Sequence, residues 1–207
     1  GWNVCWEMTA HDGVLFRDAT YNDTPIFSNI KIPQIEAWYP SWPGGYRDEI
    51  GFSATVPPFG DTIVNELDDG FEVRQLFTEF TRWPNCICCY RYEEIIRFFA
   101  DGSFEPRFIS YGPGCDDLSI YRPFWRIDLD LDGPEDNQVW LWQNTEWTEM
   151  ETETELFPFV DNLGPDGFKL ATGSGDLLYR WALLHTDPLG LDEARVFVLQ
   201  ENELEGE

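Results

Sequence analysis

Residues Cys89–Gly102 read C-Y-R-Y-E-E-I-I-R-F-F-A-D-G, and this stretch decides the fold of the chain. Its aromatic and β-branched residues favour a strand, which we predict over Cys86–Phe99. Asp101-Gly102 is a turn signal that ends this strand, and a second strand is predicted directly afterwards, over Ser103–Ser110. The stretch therefore predicts β structure in the middle of the chain.

The same pattern recurs along the whole sequence, as short β-rich runs separated by Gly, Pro, Asn and Asp, with almost no helical signal. The other predicted strands are Val14–Phe16, Ile26–Ile32, Gly70–Phe80, Tyr121–Leu131, Gln138–Thr145, Phe168–Thr172, Leu177–Leu184 and Ala194–Gln200. We predict an all-β protein, an antiparallel β sandwich of large twisted sheets. One β-sandwich domain is expected over residues 1–200, followed by a frayed acidic tail over residues 201–207.

The charge balance is extreme, with 39 acidic against 13 basic residues and a net charge of −26. Such a surface repels phosphates, so we expect no nucleic-acid partner. There is no run of about 18 apolar residues, so we expect no membrane insertion. Two interpretations of the acidity remain open: adaptation to high salt, which screens self-repulsion, or recruitment of cations or a basic partner. The start at Gly1-Trp2, without an initiator Met, is expected of a processed or excised chain.

The chain has five cysteines, at positions 5, 86, 88, 89 and 115. On the predicted strand, Cys86 and Cys88 would share one face and Cys89 would lie on the other. The spacing lacks the paired cysteines of a typical zinc site. Free buried thiols and one or two disulfides both remain open, because sequence alone does not give the pairing.

Four segments resemble the catalytic domain of copper amine oxidases, in the order found in that family. They are the opening G-W-N-V with Asp12–Tyr21, then Cys89–Gly102, Phe124–Gly133 and Asp176–His185. The resemblance implies the β supersandwich fold of that family. It also places Tyr90 where the family oxidises a tyrosine to the cofactor topaquinone, although Cys89 and Arg91 replace the family's Asn and acidic residue.

The same resemblance carries the family's copper ligands onto this chain. The two positions of the H-x-H motif fall on Ser119 and Tyr121, and the third ligand falls on His185. A hydroxyl and a phenol with an ordinary pKa near 10 do not replace imidazoles at neutral pH. We therefore predict that copper and topaquinone are absent and that amine oxidase activity is lost. Tyr90 and Asp48, the position nearest the family's catalytic base, are then remnant catalytic positions.

The acidic motif Asp128-Leu129-Asp130 falls where the resemblance implies a calcium-like site, with Asp176 as a further carboxylate. On one strand Asp128 and Asp130 would share a face, and oxygen ligands of this kind suit a hard divalent cation. An ordinary polar strand face is the alternative in so acidic a chain. Calcium is accordingly the one metal that the sequence suggests.

For function, we predict a secreted or salt-exposed binding or structural module that forms a homo-oligomer and is not an oxidase. A metal-free enzyme acting on a small substrate is one alternative. Its cavity would be lined by Tyr90, Tyr92, Tyr121, His185 and Asp48. A subunit of an extracellular assembly, with the tryptophan-rich surface as its interface, is another.

Overall fold

The computed structural model describes residues 1–41, 46–47, 51–78, 83–112, 114–116, 118–130, 137–143, 145–156, 168–172, 178–181 and 196–198. The chain divides into two compact units, Gly1–Leu129 and Asp130–Glu207. None of the helices in these ranges is long and apolar enough to cross a membrane.

Where it is described, the first unit consists of strands and one helical turn. In chain order these are β1 (Trp2–Met8), β2 (Val14–Tyr21), β3 (Thr24–Trp38), β4 (Tyr46–Arg47), α1 (Phe52–Thr55), β5 (Pro58–Leu67), β6 (Gly70–Thr78), β7 (Arg91–Phe99), β8 (Phe104–Ser110) and β9 (Ile120–Leu129).

The long strand β3 organises the first sheet of this unit. The sheet runs β1-β2-β3-β4, and β9 also pairs with β3. All pairings in this sheet are antiparallel. The pairing of β3 with β9 shifts register between Lys31 and Gln34, around Pro33. A proline has no backbone N–H to contribute to a ladder, which accounts for an irregularity at this place.

The second sheet is the antiparallel meander β5-β6-β7-β8. Its centre is regular, because β6 and β7 pair without a shift from Gly70 opposite Phe99 to Thr78 opposite Arg91. The predicted turn after β7 is present. Gly102 has a φ of 93°, which favours glycine, and the Asp101 carboxylate accepts the N–H of Ser103 at 2.9 Å.

The aromatic core of the first unit lies where these two sheets face each other. Every second residue of β7 is buried there, and Phe98 is fully buried. Its ring packs 6.4 Å from Phe16 of β2 and 6.5 Å from Phe27 of β3. Burial of one such side chain contributes about 1.5–3 kcal/mol, so the alternation along β7 determines which face of the sheet is inside.

The second unit is also antiparallel β structure where it is described. Its strands are β10 (Asn137–Gln143), β11 (Glu146–Glu149), β12 (Thr154–Leu156), β13 (Phe168–Thr172), β14 (Leu178–Trp181) and β15 (Val196–Val198). One sheet runs β11-β10-β13-β14, and β12 pairs with β15.

The all-β prediction is confirmed by this architecture. The prediction of a single domain over residues 1–200 stays a prediction, and the expected tail at 201–207 lies outside the described residues. Strands β1, β4, β5, β11 and β12 were not predicted.

The prediction of a strand beginning at Cys86 is wrong. Residues 83–88 form turns, Cys89 makes an isolated bridge to Gly114, and β7 begins only at Arg91. The proposed facing of the cysteines is wrong with it, because Cys86 forms a disulfide with Cys89, and Cys88 with Cys115. Cys5 is free and exposed. Turns and two disulfides occupy the place of the predicted start of the strand.

Candidate functional site

Tyr90, the residue singled out by the sequence, lies directly before β7 in the first unit. Its hydroxyl oxygen is 2.6 Å from the Tyr39 hydroxyl and 2.8 Å from Cys115 Sγ. Because Cys115 is in a disulfide, its sulfur has no proton, so Tyr90 donates to the sulfur and accepts from Tyr39. The Tyr90 hydroxyl is therefore engaged on both sides.

Four tyrosines pack around this contact, and we call Tyr39, Tyr90, Tyr92 and Tyr121 the tyrosine cluster. The Tyr90 ring centroid lies 5.8 Å from that of Tyr92 and 6.2 Å from that of Tyr121. Tyr121 also packs against Tyr39, at 6.4 Å. Aromatic pairs at such distances contribute about 0.5–1.5 kcal/mol each beyond their buried area, so the rings hold one another in place.

Gly114 closes the cluster on one side. Its φ is 61°, and a Cβ at this position would overlap the Tyr121 hydroxyl oxygen and lie 3.2 Å from Cε1 of Tyr90. The backbone of Gly114 is held in turn by Cys88, whose N–H donates to the Gly114 carbonyl at 3.1 Å. A side chain at position 114 would have to displace Tyr121, so this close approach requires glycine.

A small cavity of about 30 Å³ lies beside Tyr90. Tyr39, Tyr90, Tyr92, Phe52 and Val56 are among the residues that line it. This volume holds one or two water molecules. Pockets that bind small organic ligands measure about 300–1,000 Å³, so this cavity is too small for a substrate of ordinary size.

The environment of the cluster opposes ionisation of Tyr39 and Tyr121. Burial, followed by the hydrogen bond with Tyr90, raises the pKa of Tyr39 far above its usual value. Burial likewise raises the pKa of Tyr121. A group that acts as general acid or base needs a pKa near the working pH, and these shifts move in the opposite direction.

Glu94, on the inner face of β7, is a functional candidate that the sequence analysis missed. It is fully buried, and its Oε2 accepts the N–H of Val14 at 2.9 Å. Its Oε1 has no hydrogen-bond partner, and burial raises the pKa of this carboxyl to about 8. The signal was in the sequence, since Tyr92, Glu94, Ile96 and Phe98 share one face of the strand.

The positions implied for copper do not fit that metal in the described residues. The Ser119 hydroxyl donates to the carbonyl of Asp116. The Tyr121 hydroxyl is buried against Gly114 and makes no regular hydrogen bond. A hydroxyl and a neutral phenol do not form the imidazole set that a Cu(II) centre of this kind requires. His185, the third position, and Asp48, the implied base, lie outside the described residues.

At the motif implied for calcium, Asp128 is described and hydrogen bonded. Its Oδ2 accepts the Ser28 hydroxyl at 2.5 Å and the Asn29 amide at 2.9 Å. Leu129 pairs with Phe27 at the end of β9, and Asp176 lies outside the described residues. Among the residues that the structure describes, no three His, Cys, Asp or Glu side chains come close enough to hold a metal ion. The calcium site stays a prediction.

Comparison with known proteins adds a likeness of fold. No family model matches the sequence, and no curated protein sequence matches it. Two crystal structures of Pichia pastoris lysyl oxidase are similar in fold, with TM-scores of 0.44 and 0.43 and identities of 13% and 14%. The match covers 82% of this chain and 34% of each of those chains, so the chain spans about a third of their length. At this identity the likeness concerns the fold alone.

Proposed function

We propose that this chain is a binding or structural module on an amine-oxidase-like β scaffold, without the copper and quinone chemistry of that family. The observation that carries the proposal is the engagement of the Tyr90 hydroxyl by Tyr39 and Cys115 Sγ. A tyrosine that is to be oxidised at its ring needs space for a metal and for oxygen beside it. Among the described residues, the cavity that Tyr90 lines measures about 30 Å³.

The donor groups around Tyr90 support the same proposal. Ser119 and Tyr121 supply no imidazole, the Tyr39 hydroxyl is hydrogen bonded to Tyr90, and the pKa of Tyr121 is raised. The cavity also has no room for a small organic substrate, so we do not propose metal-free catalysis at this place.

The disulfides support placing this module in an oxidising compartment. Cys86 pairs with Cys89 and Cys88 with Cys115, and such bonds persist mainly outside the cytosol. Together with the net charge of −26, they favour an extracellular and salt-rich setting.

Copper titration with a quinone stain tests the proposal. Freshly purified protein is incubated with Cu(II) in air, dialysed, analysed for retained copper and stained for quinone. We expect no stoichiometric copper and no stain. One copper per chain together with a positive stain would overturn the proposal. Isothermal titration calorimetry with calcium tests the motif Asp128-Leu129-Asp130 separately. The variant Asp128→Asn should weaken any calcium binding.

A further inference from the structure

The segment Cys86-Ile87-Cys88-Cys89 carries a disulfide between its first and last residues. The two bonded cysteines are separated by two residues, which is the C-x-x-C spacing of motifs that exchange disulfides with external thiols. With a sequence separation of 3, this disulfide closes a short loop, so it constrains the unfolded chain less than a disulfide across a long loop does. The proposed binding role does not use this bond.

The two cysteines of this disulfide differ in their access to solvent. Cys86 is partly exposed and is followed by Ile87, which is 89% exposed, whereas Cys89 is fully buried. An external thiolate approaches from solvent, so it attacks the sulfur of Cys86 and the sulfur of Cys89 leaves. Cys89 Sγ lies 3.2 Å from the carbonyl oxygen of Cys86, which accepts a hydrogen bond from Cys89 once that residue is a thiol.

Backbone and side-chain contacts hold the segment on both sides of this bond. Before it, the Trp83 indole N–H donates to the carbonyl of Gly112. After it, the Cys88 N–H donates to the carbonyl of Gly114 at 3.1 Å, and the Gly114 N–H donates to the carbonyl of Cys89 at 3.3 Å. None of these contacts uses the bonded sulfurs. The two cysteines therefore stay close together after reduction, and the bond can form again.

The second disulfide, Cys88–Cys115, has a structural position. Cys88 precedes β7 and Cys115 follows β8, so this bond closes the open end of the hairpin that β7 and β8 form. Its partners are 27 residues apart, and a disulfide across so long a loop stabilises the folded chain more than a short one does. The Tyr90 hydroxyl also donates to Cys115 Sγ at 2.8 Å. This bond holds the site together while the other one exchanges.

We propose that Cys86–Cys89 is a redox-active disulfide that oxidises a dithiol substrate, an activity beyond the proposed binding role. One substrate thiolate attacks Cys86 Sγ, which forms a mixed disulfide and breaks the Cys86–Cys89 bond. The electron pair leaves on Cys89 Sγ, which takes up a proton.

The second substrate thiolate then completes the reaction. It attacks the substrate's own sulfur in the mixed disulfide, and Cys86 leaves as a thiolate and takes up a proton. The substrate loses two electrons and two protons and gains a disulfide, and the chain gains two thiols. The reverse steps, with an external disulfide as the oxidant, restore the Cys86–Cys89 bond.

A redox titration with dithiothreitol as the dithiol tests this activity. The full chain is equilibrated with mixtures of reduced and oxidised dithiothreitol and quenched with acid. Its free thiols are then alkylated under denaturing conditions and assigned by peptide mass spectrometry, and circular dichroism of the equilibrated samples reports the fold. The variant Cys5→Ser is the matched control, because it removes the one cysteine that is free and exposed in the described chain.

We expect Cys86 and Cys89 to become thiols at a ratio of reduced to oxidised dithiothreitol at least about tenfold lower than the ratio that opens Cys88–Cys115. The circular dichroism should stay that of the oxidised chain, and Cys5→Ser should give the same result. Opening of Cys88–Cys115 at the same or a lower ratio overturns the inference. So does loss of the fold when the Cys86–Cys89 bond opens.

Two single variants test the different roles of the cysteines, since each leaves one thiol of the pair. With 2-hydroxyethyl disulfide as the probe, Cys86 in Cys89→Ser should form a mixed disulfide at least about tenfold faster than Cys89 in Cys86→Ser. Equal rates, or a faster reaction at Cys89, would show that Cys86 is not the sulfur that external thiols attack. The titration of the unaltered chain decides the inference even where a variant fails to fold.

Discussion

Tyr90 connects the Tyr39 hydroxyl to the Cys88–Cys115 disulfide, and it does so in a place closed by Gly114. At the scale of single residues, three residues from distant parts of the sequence meet here. Tyr39 follows β3, Tyr90 precedes β7, and Gly114 belongs to the loop between β8 and β9. The packing of this place should therefore be sensitive to very small changes.

The Gly114→Ala variant should be strongly destabilised. An added Cβ overlaps the Tyr121 hydroxyl oxygen, and alanine is also strained at a φ of 61°. We expect a loss of about 2–4 kcal/mol in the free energy of unfolding, measured by urea denaturation.

The control is Gly112→Ala, in the same loop. Its φ is 60°, and no atom lies within 4 Å of an added Cβ. This variant carries the backbone strain alone, about 1–2 kcal/mol. Equal losses for the two glycines would contradict the close contact between Gly114 and Tyr121.

Because of Glu94, we expect the free energy of unfolding to depend on pH. Its pKa is about 8 in the folded protein and 4.5 as the ordinary value. Between these values the folded state retains a proton that the unfolded state has released. The free energy of unfolding contributed by Glu94 therefore falls as pH rises from 4.5 toward 8, with a slope of up to about 1.4 kcal/mol per pH unit.

Glu94→Gln keeps the shape of the side chain and removes its titration. We expect this variant to lose the slope and to be more stable than the wild type at pH 8, as measured by urea unfolding across the pH range. Glu66→Gln, exposed on β5, should keep the wild-type slope. An unchanged slope for Glu94→Gln would show that Glu94 is not buried in this way.

At the scale of elements, strands β6, β7 and β8 are joined on their outer face by a network of side-chain ion pairs. Glu72 is its buried member, and its carboxylate accepts from Arg74 at 3.2 Å and from Arg97 at 3.1 Å. Burial alone would raise the pKa of Glu72, but the hydrogen bonds from Asn65 and Arg97 and the charges of both arginines lower it. Glu72 therefore stabilises the sheet while it is ionised.

Glu72→Gln should lower the free energy of unfolding by about 1–3 kcal/mol at neutral pH, because hydrogen bonds to a charged acceptor are lost. Chemical denaturation of both proteins measures this loss. It should shrink as pH falls through the lowered pKa of Glu72, where the wild type loses the same charge.

Glu105→Gln is the matched control on β8. The nearest guanidinium nitrogens lie 3.9 Å away in Arg97 and 3.6 Å away in Arg107, and the group is partly exposed. We expect a change below about 0.5 kcal/mol, as is typical of surface ion pairs. A larger effect at Glu105 than at Glu72 would contradict the assignment of the buried member.

Much of the architecture was predictable at this scale, because alternation along a strand follows from burial of one face. β7, the turn at Asp101-Gly102 and β8 follow from their residues. β5 was missed; it contains Gly60, which has a φ of 72° within the strand, at an irregularity of the pairing with β6.

The disulfide-bonded segment Cys86–Cys89 and the tyrosine cluster could not be predicted from the local sequence pattern. Cys88 has a φ of 58°, a conformation that a cysteine in the sequence does not indicate. Its disulfide partner is 27 residues away in the sequence. Likewise Tyr39 and Tyr90 are 51 residues apart in sequence, so only the pairing of whole strands brings them together. Tyr90, which the sequence singled out, lies in this cluster, and its role as a remnant catalytic position stays a prediction.

At the scale of the whole molecule, the charge of −26 is the dominant property. Self-repulsion opposes the compact state and is reduced by screening. We expect the midpoint of thermal unfolding to rise with ionic strength. NaCl and Na₂SO₄ compared at equal ionic strength provide the control, since screening depends on ionic strength while exclusion effects differ between the anions. A midpoint that falls with added NaCl would contradict this account.

The central claim is that this chain does not carry out the copper and quinone chemistry of amine oxidases. The chemical state of Tyr90 after exposure to copper tests it most directly. The protein is incubated with Cu(II) in air, and the peptide that contains Tyr90 is then analysed by mass spectrometry. We predict the mass of an unmodified tyrosine at position 90, with no copper retained by the chain. Conversion of Tyr90 to topaquinone, seen as two added oxygens and two lost hydrogens, would contradict the claim.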